Sequence, residues 1–407
     1  MFKNKLLVSI SMLLLISCTR DSNTSGTMLH PVAEKMPYAN IEAELLKIHD
    51  GEEYIDLFPE SVQLLHYVLN DEAGLLQHTK PILLSSGEND TLLTTGAVDI
   101  SSVNDSSLLI LERSTNRLVQ YNIDESRYHV IANQGRGPGD LHFSRELSVY
   151  DNKAFIGMQG FRISKFTCNS GLCEYSKTIQ TEYNNYSVAP DDDYISIVGI
   201  SAFGNEGDPD PSNTDQYLLH KINYNGEVLQ SYLPIYRHRS PLVREAMNSG
   251  GRVRSFPESN SIVVTFSRFP YLYVHNDAGE LTNIYELPDF IQSYYKSEED
   301  RAGRYTTSLL FDNNSMISFT STLNERWLLL RMREQRDLVF HGYGLEEGFT
   351  GTQWFSYFAF NVDEKTLYKI GEDTRKSVRD ERRVLHVIDQ GIVINENGLL
   401  YLLLNKT

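Results

Sequence analysis

Arginine and tyrosine are the side chains in this 407-residue chain whose placement suggests binding chemistry. The candidate ligand contacts are Arg136, Arg162, Arg237, His238, Arg239, Arg268, Tyr271, Tyr294, Tyr295, Arg304, Tyr343 and Trp354. Arg244, Arg252 and Arg254, with Phe161, Tyr236 and Tyr305, fall in the same stretches. Guanidinium groups grip carboxylate, sulfate or phosphate through paired N–H donors, and aromatic faces stack on sugar or peptide. The rival reading pairs these arginines with Glu206, Glu245, Glu298, Glu299 and Asp300 nearby.

Catalytic constellations are thin. There is no Gly-x-Ser-x-Gly elbow, no His-Glu-x-x-His and no Cys/His cluster at metal spacing, so no catalytic residue, metal or cofactor is assigned. Asp140, Asn185 and Asn248 form no recognisable ligand set, and the turn Asp191-Asp192-Asp193 lacks the spacing of a calcium loop. Lys and Arg total 37 against 54 Asp and Glu, a net charge of −17, which argues against nucleic acid as a partner. Hydrophobic residues are 41% and charged residues 22%, enough to build a core and too apolar for global disorder. A metal-dependent hydrolase or lyase and a structural envelope component stay open as alternatives to a binding scaffold.

Two features tie the chain to an export route. Lys3 and Lys5 precede the apolar run from Leu6 to Ile16, which is too short for a mature transmembrane helix and suits a signal peptide. The following Leu15-Ile16-Ser17-Cys18 resembles a bacterial lipobox, which implies residues 1–17 as signal, Cys18 as the lipidated residue and a membrane anchor, with the outer membrane preferred. Residues 18–37 are small and polar and read as a tether, with the folded domain over 38–407. Cys168 and Cys173 flank Asn169-Ser170-Gly171, turn chemistry that reads in an exported chain as a disulfide at a hairpin end; a zinc pair is the alternative.

These side chains must be held by a repeating unit. A turn of Asp, Asn or Glu followed at once by a short apolar strand recurs six times, at 104–112, 151–158, 191–199, 258–266, 324–332 and 396–404. Shorter strands precede each turn, and two further strands follow the first five, joined by turns such as NYNGEV and HNDAGEL. The pattern predicts an all-β, six-bladed β-propeller with a few short helices in loops. The last unit stops after two strands, so N-terminal strands from YIDLF (54–58), VQLLHYVL (62–69) and PILLSS (81–86) are expected to complete it. Long segments, 201–216, 235–251, a helical-looking 288–306, 333–353 and 373–383, all fall on one face of such a ring and mark it for binding.

The stretch from NRLVQYNI through IANQGRGPGDLHFSRELSVYDNKAFIGMQGFRISKF resembles NHL-type repeats. More closely it is similar to six-bladed, TolB-like propeller lipoproteins carrying Gly-x-Gly-Pro-Gly-Glu after the first blade. Here Gly135-Arg136-Gly137-Pro138-Gly139-Asp140 has Asp for Glu. The resemblance implies a fold and an envelope location, not an activity. The glycine run itself lacks the Lys-Ser/Thr of a phosphate loop and reads as an inter-blade turn.

Overall fold

Short apolar strands cut by Asp, Asn and Gly turns form six four-stranded units in the computed structural model, an all-β six-bladed propeller. The structure describes residues 28–31, 37–70, 79–84, 98–169, 171–201, 217–236, 247–291, 294–299, 305–310, 314–340, 349–375, 382–396 and 399–405. Blade I runs Val98–Asn104, Ser107–Glu112, Arg117–Asn122, Arg127–Ala132, from the axis outward. Blade II follows with Ser144–Tyr150, Lys153–Met158, Arg162–Thr167 and Glu174–Gln180. Blade III comprises Tyr183–Pro190, Ile195–Ser201, Tyr217–Ile222 and Val228–Pro234. Blade IV comprises Gly251–Phe256, Ser261–Phe266, Tyr271–Asn276 and Leu281–Glu286. Blade V is Asn314–Leu323, Trp327–Phe340, Phe349–Asn361 and Thr366–Arg375.

Blade VI joins the two chain ends. Its inner strands are Arg382–Ile388, Gly391–Glu396 and Leu399–Asn405, and its outermost strand is Thr79–Leu83, antiparallel to the last. The sixth unit therefore holds three C-terminal strands rather than two, and one N-terminal strand closes it. The missed strand begins at Arg382-Arg383, inside a stretch whose charge suggested a loop. The turn that follows it, Asp389-Gln390, is the acidic turn of this blade.

The other two N-terminal pieces are helical. YIDLF lies in the 3-10 segment Gly51–Leu57, whose first turn is capped by Asp50 accepting from the Glu52 N–H at 3.1 Å. VQLLHYVL lies in helix α1, Glu60–Asn70. Its buried residues Ser61, Val62, Leu64, Leu65 and Val68 recur at three- and four-residue steps, the period of one helix face. With Phe58 they pack on Trp327, Tyr368, Ile370, Val387 and Ile394, so the helix bridges the sides of blades V and VI. A Cβ on Gly371 would come within 2.9 Å of the Leu69 Cβ, so this close approach needs glycine.

Two other expectations change. The segment 288–306 contains a strand, Tyr294–Glu299, paired with Tyr305–Leu310 and with Met28–Pro31. Part of the stretch read as a tether is thus a strand. In 333–353, most of the expected loop is sheet: blade V's second and third strands run 14 and 13 residues and project as a long hairpin. Segments 202–216 and 237–246 lie outside the described residues.

The blades are laced together near the axis by polar side chains reaching across each junction. The Asn116 side chain accepts from the Ser144 N–H at 2.8 Å between blades I and II, and Glu146 accepts from the Val188 N–H at 2.9 Å between II and III. Ser187 accepts from the Val253 N–H at 3.1 Å, and Arg254 donates to the Thr320 carbonyl at 2.9 Å, joining III to IV and IV to V. Arg331 donates to the Val384 carbonyl at 2.9 Å, and Gln390 to the Asn104 carbonyl at 3.1 Å, completing the circuit through VI to I. Inner strands of neighbouring blades splay, so their exposed backbone groups need such partners.

Leu65 of α1 is fully buried whereas Leu57 is 58% exposed. Leu65→Ala is expected to cost about 2–5 kcal/mol and Leu57→Ala under about 0.5, read from urea denaturation midpoints. Equal effects would show that α1 is not a structural clamp.

Candidate functional site

The first residues of each innermost strand stand on the face where the long segments gather, and the turns after those strands stand on the opposite face. Between them the axis is a channel with a cavity of about 1190 Å³. Its charged lining is sorted by height. Asp99, Arg145 and Arg252 are the second residues of their innermost strands, and Glu146, Arg254, Arg113 and Arg331 lie at the same half. The opposite mouth carries Asp151, Asp192, Glu258, Glu325 and Asp389, all from the turns that follow innermost strands. Among the described lining residues, the long-segment half holds five arginines against two carboxylates, and the other mouth holds five carboxylates and no Lys or Arg.

The arginine half is built around Arg254 and Glu146. Their charged ends meet at 2.9 Å, and Glu146 also takes the Val188 N–H. Arg254 further donates to the carbonyls of Val253 and Thr320. Burial by itself would raise the Glu146 pKa, but Arg254 and Arg252 outweigh it and hold the carboxyl below its ordinary value. Arg113 reaches Asp99 at 3.6 Å. Arg145 lies over the Tyr186 ring, 5.2 Å from its centre. Arg252 donates to the carbonyls of Gly251 at 2.9 Å and Ser249 at 3.5 Å. Burial, then Arg254 and Arg113, lower the Arg252 pKa, with Glu146 and Asp99 opposing.

At the opposite mouth burial raises Glu325, reinforced by Glu258 and Asp389. Asp389 is also raised by burial, opposed by the Asn324 N–H that it accepts at 3.3 Å. Among the described residues no group of three or more His, Cys, Asp or Glu is arranged to hold a metal ion. Asn185 and Asn248 are both buried and hydrogen-bonded within the fold, Asn248 bridging the backbone N–H and carbonyl of Tyr236 at 2.8 and 3.1 Å.

The sequence-derived contacts do not converge on this channel. Arg136 is exposed on the GRGPGD turn, where the Asp140 side chain accepts the Gly137 N–H at 2.8 Å and a Cβ on Gly135 would strike that carboxylate at 2.1 Å. That turn carries blade I's outermost strand to blade II's innermost strand. Arg162 begins the third strand of blade II. Arg268 lies in a turn of blade IV, where burial and then Arg333 lower its pKa to about 10. Trp354 sits in blade V's third strand, opposite Glu334 and Thr374. Tyr271 is corrected: only 9% exposed, it packs in the core between blades III and IV with Tyr273 and Phe266. Tyr294 and Tyr295 lie on the added hairpin strand, their side chains outside the described set. Cys18, Arg237, His238, Arg239, Arg304 and Tyr343 lie outside the described residues.

Cys168 and Cys173 are joined by a disulfide at the outer hairpin of blade II. Gln120 of blade I accepts the Cys173 N–H at 2.7 Å and donates to the Gly171 carbonyl at 3.1 Å, fixing the loop to its neighbour. The channel residues Arg113, Arg145 and Arg331 were not singled out from sequence. The available signal, a charged residue at the second place of four innermost strands, Asp99, Arg145, Arg252 and Arg383, reaches only Arg145 of these three.

No family model and no curated protein matches the chain. Solved structures with similar chain paths include a Bacteroides fragilis NCTC 9343 protein described as exported, at 8% identity and TM-score 0.48, covering 81% of this chain and 95% of that one. A member of the DUF4221 family from Bacteroides vulgatus ATCC 8482 is 12% identical with TM-score 0.48, covering 81% and 97%. A protein of unknown function from Bacteroides thetaiotaomicron VPI-5482 is 10% identical with TM-score 0.46, covering 81% and 76%. None of the three carries an argument about what this chain binds; the fold rests on its own strand order.

Glu146→Gln removes the carboxylate facing Arg254 and is expected to cost about 1–3 kcal/mol, because it leaves a largely buried guanidinium without its carboxylate. The Glu146 pKa is lowered on folding, so its contribution is present above its ordinary value of 4.5 and lost as pH falls through the folded value. The variant should therefore show a flatter loss of stability below that value than the wild type in acid denaturation. An unchanged acid limb would show that the pair contributes nothing to folding.

Proposed function

We propose that the chain is a cell-envelope lipoprotein of the NHL- and TolB-like propeller kind, acting as a binding scaffold whose ligand enters the central channel from the long-segment face. The observation that carries this reading is the channel itself. Its cavity of about 1190 Å³ is lined by charged and hydroxyl side chains rather than plugged by apolar ones. That exceeds the roughly 300–1,000 Å³ of small-molecule sites and leaves room for an organic ligand. Rigid blades would hold the binding groups, and Arg136, Arg162, Arg268 and Trp354, which do not line the channel, would touch parts of a ligand that extend beyond it. Cys18 would carry the lipid, residues 1–17 the export signal, and the outer membrane is the preferred site.

The binding claim is tested by a thermal-shift screen of the full chain in detergent against calcium, zinc, glycans, peptides and small anions. Ser101 lines the channel, and Ser101→Trp would obstruct it. A ligand at 100 times its Kd should stabilise the wild type by about 2.7 kcal/mol and the obstructed variant far less. Ligands that shift both equally would place binding outside the channel.

The anchor has its own test. Cys18→Ala should move the protein from the membrane fraction to the soluble fraction and abolish palmitate labelling. Continued labelling of the variant would overturn lipidation at this residue.

A further inference from the structure

Arg113, Arg145 and Arg252 come from blades I, II and IV and face the same half of the channel. Their charges are poorly offset. Glu146 is engaged by Arg254, and Asp99 meets Arg113 only at 3.6 Å. Among the described residues, neither Arg145 nor Arg252 has a carboxylate within ion-pair distance. A guanidinium offers five N–H donors in a planar fork suited to an oxyanion. Arg252 directs the described ones to backbone carbonyls, and the buried Arg113 Nε has no partner. The buried Thr320, 4% exposed, also lines the cavity with its hydroxyl unpartnered. Buried donors such as the Arg113 Nε and the Thr320 hydroxyl are seldom left this way, and a surplus of half-buried guanidinium groups favours an anion between them.

Two further facts narrow the class of occupant. A cavity of about 1190 Å³ is far larger than a bare inorganic ion, so the anion would be one end of an organic molecule. The five carboxylates at the opposite mouth repel such a group, leaving approach from the long-segment side. Resting on the channel reading above, we propose that its arginine half is an oxyanion site. It takes a small organic molecule bearing carboxylate or phosphate groups, held among Arg113, Arg145 and Arg252.

Citrate serves as the probe, its trimethyl ester as the uncharged comparison, and inorganic phosphate as the bare-ion arm, all titrated calorimetrically at constant ionic strength into the full chain in detergent. Citrate should bind saturably and the ester should not, with phosphate at least tenfold weaker than citrate. Arg252→Gln and Arg145→Gln should each weaken citrate at least tenfold, whereas Arg127→Gln, an exposed change on the outer strand of blade I, should leave it unchanged. Each variant's melting transition is recorded, and if one fails to fold the other carries the test. Absence of citrate and phosphate binding, or affinities unchanged in both arginine variants, would overturn the proposal. Phosphate binding as tightly as citrate would overturn its organic-ligand part. Binding of the ester or a neutral glycan, blocked by Ser101→Trp but insensitive to both arginine variants, would overturn the anion class while the channel reading stood. Citrate binding unaffected by Ser101→Trp would overturn both.

Discussion

Closure of the ring is the constraint on which the rest depends. Six twisted sheets set around an axis leave no open edge along the ring only if the last sheet meets the first. Here that is done by pairing Thr79–Leu83 with Leu399–Asn405, so one sheet is made from both chain ends. The helix before that strand follows from the same demand. It must bring the N-terminal chain to the side of blade VI, and burying Val62, Leu65 and Val68 against blades V and VI fixes that route. The short parallel additions Glu44–Leu45 and Ile48–Asp50 lay the preceding chain along the outer edges of blades IV and V.

Near the axis the demand changes character. Innermost strands of adjacent blades cannot form a continuous ladder, and their backbone groups are satisfied by Asn116, Glu146, Ser187, Arg254, Arg331 and Gln390 instead. Polar side chains are therefore structural here. The same requirement keeps the axis hydrophilic and hollow, because an apolar plug would strip those groups of partners. Structure and binding chemistry share one set of residues, with Arg254 and Glu146 serving cohesion. Arg145 and Arg252 add positive charge with no carboxylate within ion-pair distance among the described residues.

The repeat was legible because the second strands of blades I to V open with residues apolar on both faces, after turns of Asp, Asn or Glu. Asp151-Asn152 and Asn324-Glu325 adopt positive φ there. Blade VI was misplaced by one strand because Arg382-Arg383 looked like loop, and charge at an innermost strand is what a hollow polar axis permits. VQLLHYVL has strand-like composition but helix-like spacing, and the spacing prevailed once blades V and VI offered an apolar groove. Tyr271 shows the limit of residue type as a guide. A tyrosine suits a ligand surface or a core equally, and a position covered by two blades makes this one core.

By itself, the amino-acid order determined the four-stranded unit of the first five blades, the number of blades and the joining of both chain ends, because these follow from local alternation and turn chemistry. It also marked one face as the one bearing the long segments. Only the tertiary structure decided which arginines share a space. Residues 113, 145 and 252 lie far apart along the chain, and nothing local distinguishes them from arginines at the rim. Sixfold closure places the second residues of separate strands around one axis, and that arrangement, absent from any single segment, produces the charged channel.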